Sequence, residues 1–530
     1  MAVFLHTTKD APPGDFDSWA SIGENPRQLA PEKMRPDLDA ELEDAFDRIA
    51  PRWFDLAKSL AQHPSADLAI ALSCATNISD MGVMLAWADL VEGWAKAAER
   101  TLVICGDPWM FRHLSGILGV TAGRAPGFWP LSLRLGLRGY AARIKAALTF
   151  AGANLRLKSQ QQKGTPGQAW LLVYGHPSSD GDGGDGYFGD LMKIMPHLRR
   201  LLHVDCPPAR AGELSGDGRT FSLHAWGSPL FALFKLPFMR WTPRPSGPDH
   251  WLVRRATALE GGTGQPAAIA WQKHCQDRWL KKVKPHIVAW PWENHSWERA
   301  FVRSARANGT TTVGYQHSVV GQQMLNYAAK SNVDGPESLP DKVLCSGPST
   351  RGQLLAWGMP EDRLAIGGAL RFGKKGLTVY DRTAPVFVAL PFDLTIAAEL
   401  VAALKDRVDS PRRFLVKQHP MSPLDFDDTE KVERTEILLG DHPQLSAVIF
   451  AASTVGLESL LLGLPTLRFR SQHTLVIDIL PRGLKVAAAG AANLQAALDN
   501  LPVPMPLDRD RVLADPDRSL WTHVLRKPSS

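Results

Sequence analysis

The segment PWENHSWERAF, from Pro291 to Phe301, carries two carboxylates and a histidine directly after KPHIVAW, an apolar run typical of a buried strand. Glu293 stands at the exit of this strand, where a carboxylate can accept a proton from a substrate hydroxyl. Glu298 stands one turn into the following helix, where a carboxylate complements the helix dipole. We therefore take Glu293 as the first candidate for a general base.

A second group of polar side chains follows two predicted strands near the C-terminus. KQHP places Lys417 and His419 just past a strand, and AASTVGLESLLLG places Ser453 and Thr454 at a strand-to-helix turn. The unpaired N–H groups and the dipole of a helix start favour a phosphate there. Glu458, one turn further on, can accept hydrogen bonds from ribose hydroxyls. Taken alone, the hydroxyl pair equally fits a plain N-cap.

The loop VYGHPSSDGDGGDGYFGDL combines three aspartates with a GxGxxG spacing at Gly181, Gly183 and Gly186. That spacing after a strand is formally a dinucleotide-binding pattern, but the aspartates would repel a pyrophosphate. A divalent cation is a further alternative, although too few ligands are visible. We expect the loop on the acceptor side, with Asp185 as a second candidate base, and Asp180 and Asp182 beside it.

His317, at the end of GYQHS, follows a neighbouring predicted strand. It is a third candidate for the catalytic group, as a side chain that binds donor or acceptor. The alternative, a histidine satisfied by backbone where two domains meet, has equal weight.

Length and composition favour a globular chain of two or three domains. The 530 residues are 44% hydrophobic and 22% charged. No secretory leader and no run of eighteen apolar residues occurs, so we expect a cytoplasmic protein. The five cysteines have no metal-ligand spacing, which favours a reducing compartment and no metal site. They are Cys74, Cys105, Cys206, Cys275 and Cys345.

Strand-like and helix-like segments alternate from TLVICG at residue 101 to LPTLRFR near residue 469. Such alternation predicts parallel sheets built from βαβ units. Ten predicted strands are too many for one ordinary sheet, and KSNVDGPESLP reads as a linker. We expect an α-rich N-terminal extension over 1–165, an acceptor-side Rossmann-like domain over 166–335, and a donor Rossmann-like domain over 336–530. Ligands of such sheets bind at the carboxyl ends of the strands.

Two stretches without acidic residues, 108–179 and 218–248, concentrate basic, aromatic and aliphatic side chains. Their centres, 128–160 and 225–245, suit a membrane interface. The alternative is a pair of core helices with snorkelling basic ends. Nucleic acid is disfavoured, because no binding motif accompanies the basic residues.

The segments DKVLCSGPSTRGQLLAWGMPEDRLAIGGALRF, KQHP and STVGLESLLLGLP resemble the donor domain of GT-B glycosyltransferases. The likeness is to capsular polysialyltransferases, Kdo transferases and CDP-glycerol glycerophosphotransferases. DGYFGDL, WENHSWERAF and GYQHS also resemble the bacterial surface carbohydrate biosynthesis family. The resemblance implies a GT-B fold whose two Rossmann-like domains face across a cleft. It also implies that His419 with Pro420, and Ser453 with Thr454, hold the phosphate of a cytidine nucleotide.

The resemblance further implies a glycosyltransferase of surface polysaccharide synthesis, metal-independent and inverting, without a cofactor. The donor would be a CMP-linked Kdo or nonulosonic acid, and the acceptor a glycan or a lipid-linked glycan. We expect the protein at the inner face of the cytoplasmic membrane, without nucleic-acid partners. Two alternatives stay open, a GT-B sugar-nucleotide epimerase and a non-catalytic scaffold for polysaccharide assembly.

Overall fold

The computed structural model describes residues 3–24, 29–72, 78–161, 167–244, 246–371, 376–406, 411–502 and 507–526. Cys74, and Lys163 in the first acid-free stretch, lie outside the described residues. The other four cysteines are buried free thiols. The strands form three larger parallel sheets and one short pair.

The N-terminal portion contains long helices, as expected, together with a four-stranded parallel sheet of order β2-β3-β1-β4. The sequence signals predicted only one of these strands, β3. The four strands are β1 (Val3–His6), β2 (Ser18–Ile22), β3 (Thr101–Cys105) and β4 (Val120–Ala122).

The middle sheet has seven parallel strands in the order β11-β10-β9-β8-β5-β6-β7. If β5 is numbered 1, the strands from β7 to β10 have the order 3-2-1-4-5-6 of a Rossmann fold, and β11 is one further strand at the end. The central strands are buried along their length because helices cover both faces. The strands are β5 (Ala169–Val173), β6 (Arg199–Leu202), β7 (Thr220–Ser222), β8 (Ile287–Pro291), β9 (Thr311–Gln316), β10 (Lys342–Cys345) and β11 (Leu364–Ile366).

The C-terminal sheet has six parallel strands in the Rossmann order β15-β14-β13-β17-β18-β19, and β12 pairs with β16 beside it. The expected pair of Rossmann-like domains is therefore confirmed. The strands are β12 (Val379–Tyr380), β13 (Val386–Ala389), β14 (Phe414–Lys417), β15 (Val432–Arg434), β16 (Gln444–Leu445), β17 (Ala447–Phe450), β18 (Thr466–Phe469) and β19 (Ala487–Ala489).

The described part of the chain forms fifteen α-helices. Most of them connect parallel strands and pack one apolar side against a sheet, as βαβ units require. They are α1 (Leu38–Ala61), α2 (Met81–Lys96), α3 (Pro108–Leu114), α4 (Trp129–Leu157), α5 (Leu191–Ile194), α6 (Pro208–Leu214), α7 (Pro229–Lys235), α8 (His250–Gly261), α9 (Gln265–Val283), α10 (Ser296–Ala307), α11 (Pro348–Ala356), α12 (Leu394–Asp406), α13 (Val455–Leu462), α14 (Leu494–Asp499) and α15 (Arg518–Val524).

The middle sheet continues past the expected domain boundary at residue 336. Strand β10 pairs with β9, and β11 pairs with β10. The segment 330–340 does not separate the two sheets. Three of its polar side chains, Ser331, Asn332 and Ser338, are buried, and the first two bond to α10 and its entry loop. Asn332 accepts a hydrogen bond from Asn294 at 2.9 Å, and Ser331 accepts one from Arg299 at 2.9 Å. Its linker-like composition reflects this buried polar network.

The C-terminal helix α15 returns to the middle sheet. Trp521 is fully buried, donates from Nε1 to the carbonyl of Gly367 at 2.8 Å, and packs edge-on against Phe188 and Tyr315. Among the described helices, none is both long and apolar enough to cross a membrane.

Candidate functional site

Both candidate site segments lie at the points where the strand order of their sheets reverses. In the middle sheet that point lies between β5 and β8, and in the C-terminal sheet between β13 and β17. Crevices at the carboxyl ends of such strand pairs are the usual ligand sites of α/β sheets. Glu293 follows β8, and Ser453 follows β17. Each domain therefore contributes one polar turn to the expected place.

Glu293 and His295 form a hydrogen-bonded pair on the loop after β8. Glu293 Oε2 lies 2.8 Å from His295 Nε2, and the Glu293 side chain is 34% exposed. Burial raises the pKa of Glu293, but the hydrogen bond and charge of His295, with the charge of Arg371, outweigh it and lower the pKa to about 2. The pKa of His295 is raised, because the bond to Glu293 outweighs burial. Glu293 is thus an ionised, accessible carboxylate.

Glu298 has a structural place at the start of α10. Its carboxylate accepts hydrogen bonds from the backbone N–H groups of Glu293 and Asn294, and from Trp290 Nε1 at 3.0 Å. Burial raises the pKa of Glu298 to about 7. The N-cap is His295. The contacts agree with the expectation that Glu298 supports the helix start.

The contacts of Asp185 tie it to its own loop. Its Oδ1 accepts hydrogen bonds from the N–H groups of Tyr187 at 2.9 Å and Phe188 at 3.1 Å. Its Oδ2 lies 3.5 Å from the guanidinium of Arg200, which is fully buried. Asp180 likewise accepts hydrogen bonds from Gly184 N–H at 2.6 Å and from Lys193. Our expectation that Asp185 acts as a base therefore has no support from its contacts, because fold-forming donors occupy both oxygens.

His317 lies in the same cluster as Glu293. It is buried, and its ring meets the edge of Tyr187 at 5.0 Å between centroids. Burial lowers the pKa of His317 to about 4, so the ring is neutral at neutral pH. Tyr187 also contacts His176, which follows β5. The exits of β5, β8 and β9 thus bring a carboxylate, neutral imidazole and phenol together.

On the C-terminal sheet, the turn after β17 presents two hydroxyls at the start of α13. Ala452, directly before Ser453, has φ +45°, a left-handed conformation that costs a non-glycine residue about 1–2 kcal/mol. Thr454 is the N-cap residue, and Ser453 Oγ accepts a hydrogen bond from Val455 N–H at 3.3 Å. Among the described residues, the backbone N–H groups of Ser453 and Thr454 have no acceptor. The turn thus keeps donors for an anion.

Lys417 and His419 follow β14, next to β13 in the same sheet. Lys417 Nζ donates to the backbone carbonyl of Glu436 at 2.8 Å and pairs with its carboxylate at 2.7 Å. His419 is half-buried, its pKa is lowered by burial, and its ring packs edge-on against Phe392. Pro420 follows it in an exposed turn. Lys417 therefore has a partner already, while His419 faces the exit of β13.

Arg371 was not singled out by the sequence, yet it lies near enough to both groups to act on their charges. Its guanidinium is 5.6 Å from the ring centroid of Tyr187. Its charge lowers the pKa of Glu293 and counteracts the burial that raises the pKa of Glu458 on α13. Arg371 is exposed and belongs to the segment that joins the two sheets. In the sequence, Arg371 is the single basic residue of GGALRF, and nothing around it distinguishes it from the other arginines.

The described residues contain no group of three or more histidine, cysteine, aspartate or glutamate side chains that could hold a metal ion.

No family model matches the chain, and no curated protein is significantly similar to it. Among solved structures, it is similar to the glycosyltransferase SnogD from Streptomyces nogalater, at 12% identity and a TM-score of 0.34, over 68% of this chain and 100% of SnogD. MurG of Acinetobacter baumannii gives 9% identity and a TM-score of 0.37, over 68% of this chain and 99% of MurG.

A UDP-GlcNAc 2-epimerase from Neisseria meningitidis, bound to UDP-GlcNAc, gives 10% identity and a TM-score of 0.35, over 68% of this chain and 99% of that chain. At these values the similarities carry no conclusion about activity. The fold and the site rest on the chain's own strand order and contacts.

Proposed function

We propose that the protein is a glycosyltransferase that moves a sugar from a nucleotide donor to an acceptor hydroxyl. The observation that carries the proposal is the pairing of two unlike polar turns at the strand-order reversals of two Rossmann-like sheets, with Arg371 near enough to both to act on their charges. One turn holds an ionised carboxylate, Glu293, and the other presents N–H groups and hydroxyls at a helix start.

Sugar transfer needs both groups. The acceptor oxygen bonds to the anomeric carbon as the bond from that carbon to the leaving phosphate breaks. The acceptor proton must pass to a base, for which Glu293 is the exposed carboxylate. The departing phosphate gains negative charge, which Ser453, Thr454, the start of α13 and Arg371 can stabilise.

The donor and the biological setting follow from the sequence resemblance alone. We infer a cytidine nucleotide donor carrying a Kdo or nonulosonic acid type of sugar, used in bacterial surface polysaccharide synthesis. We infer from the same resemblance that the transfer needs no metal and inverts the configuration at the anomeric carbon. A glycan or a lipid-linked glycan would be the acceptor, and Glu458 would contact the ribose.

The test combines nucleotide binding with turnover. CMP, CDP, UDP and TDP are titrated against the purified protein by calorimetry, and the best nucleotide's sugar is then tested for transfer and for hydrolysis. Replacing Glu293 by Gln should lower turnover at least about 100-fold, because general-base catalysis contributes that much, while nucleotide affinity stays unchanged. Replacing Ser453 and Thr454 together by Ala should weaken nucleotide binding instead. Each variant thus controls for the other.

Three outcomes contradict parts of the proposal. Turnover retained in the Glu293→Gln variant removes Glu293 as the base. Conversion of a UDP-sugar without any acceptor establishes an epimerase. Normal surface glycan in cells that carry either variant, while deletion of the gene abolishes it, establishes a scaffold.

A further inference from the structure

One side of α4 exposes large apolar side chains at helical spacing. Intervals of three or four residues place these side chains on a single helix face, which extends over roughly 29 Å from residue 129 to residue 148. Other positions of α4, among them Leu135, Ala147 and Ala151, are buried against the body of the protein. The exposed side chains are Trp129 (83%), Leu133 (64%), Leu137 (64%), Tyr140 (43%), Ile144 (37%) and Leu148 (60%).

Helix α7 and the short turn after it widen this apolar surface. Leu230, Phe234 and Phe238 are 67%, 69% and 70% exposed. The ring centroids of Phe238 and Tyr140 lie 6.2 Å apart, so the two helices present one continuous surface. Soluble proteins rarely leave so many large apolar side chains together in water unless something covers them.

The charges around these side chains have a single sign. Five exposed cations, Arg134, Lys145, Lys235, Arg240 and Arg244, accompany them. No ion pair of these five occurs within the described part of the chain. Both contributing stretches of sequence, 108–179 and 218–248, lack acidic residues. A partner that covers this surface must therefore be both apolar and anionic.

We propose that this surface, formed by the exposed side chains of α4, α7 and the turn at Phe238 and called here the basic apolar face, docks onto an anionic lipid bilayer. An amphipathic helix lying in the headgroup layer places its apolar side chains at the acyl boundary and its cations against lipid phosphates. Trp129 at the helix start suits the same layer. A second copy of this chain fits less well, because two faces that each carry five unpaired cations repel each other.

Docking is tested with the full-length protein and sedimenting vesicles. Wild type should co-sediment with vesicles of phosphatidylglycerol and phosphatidylcholine, much less with phosphatidylcholine alone, and less as salt rises. Replacing Leu133, Leu137 and Leu148 together by Ser should lower the bound fraction at least tenfold. Replacing Arg134 and Lys145 by Glu should abolish the preference for anionic vesicles, and this variant changes only exposed side chains.

The control replaces Leu377 and Leu438 by Ser, two leucines outside the face that are 87% and 62% exposed. It should bind vesicles as wild type does. Nucleotide binding should be unchanged in every variant, which separates docking from the proposed transfer activity. The proposal is overturned if wild type does not bind anionic vesicles, or if the triple variant binds them as the control does. It is also overturned if light scattering shows that wild type forms a concentration-dependent dimer and the triple variant does not.

Discussion

Two carboxylates five residues apart have opposite environments at the exit of β8. Glu293 is accessible and its pKa is lowered to about 2, whereas Glu298 is buried and its pKa is raised to about 7. The sequence correctly placed Glu293 at a strand exit and Glu298 in the first turn of a helix, because both are local features. It could not predict the pKa values, since these depend on His295 and Arg371 for Glu293, and on burial for Glu298.

The raised pKa of Glu298 predicts a pH dependence of stability. Between pH 4.5 and about 7 the native protein holds a proton that the unfolded chain has released, so the free energy of unfolding falls as pH rises through this window. A pKa difference of one corresponds to about 1.4 kcal/mol. Replacing Glu298 by Gln removes this titration.

The measurement is urea unfolding of wild type and the Glu298→Gln variant across pH 4.5 to 8. The free energy of unfolding of wild type minus that of the variant should decrease steadily up to about pH 7 and then stay constant. An exposed carboxylate changed to amide, Glu361→Gln, should follow wild type at every pH. Parallel curves for wild type and Glu298→Gln would show that the buried carboxyl does not titrate in this range.

At the scale of elements, all ten strands predicted from apolar runs occur in the structure. All ten have a neighbouring strand on both sides, and most of their sequences are therefore continuously apolar. The strands that escaped prediction include short edge strands such as Val120–Ala122 and Val379–Tyr380, which are largely exposed and carry no pattern. The left-handed residues Asn294 and Ala452 in the two site turns were equally invisible, because neither is glycine.

Ala452 offers a direct test of the strain in the turn before α13. Replacing it by Gly should raise the free energy of unfolding by about 1 kcal/mol, since glycine adopts φ +45° without the penalty that alanine bears. The matched control is Ala451→Gly at the preceding buried residue, whose φ is not left-handed, and it should lower stability by about 1 kcal/mol. Equal losses in both variants, measured by urea unfolding, would show that the turn is not strained.

At the scale of the whole molecule, the N-terminal portion is bound to the C-terminal sheet as well as to the middle one. Asp39 and Glu43 of α1 face Arg468, in β18, and Arg470, which directly follows β18. Asp39 also accepts a hydrogen bond from Val476 N–H at 2.9 Å. Contacts between residues more than 400 positions apart leave no local signal in the sequence. From the sequence we therefore predicted only an extension here, without its contacts to the C-terminal sheet. In the structure, helix α1 of this portion contacts the C-terminal sheet directly.

Arg468 is the centre of this junction and provides its test. Its side chain is 4% exposed and lies 3.3 Å from both Glu43 and Asp478, and it donates to the carbonyl of Val476. Replacing Arg468 by Met removes the cation from the partly buried Asp478 and leaves Glu43 with Arg470 alone, which should cost about 2–3 kcal/mol in urea unfolding. Arg413→Met removes an ion pair with Glu433 in which the arginine is 57% exposed, and should cost at most about 1 kcal/mol. If the two variants lose equal stability, the junction is a surface contact, and α1 does not hold the C-terminal sheet in place.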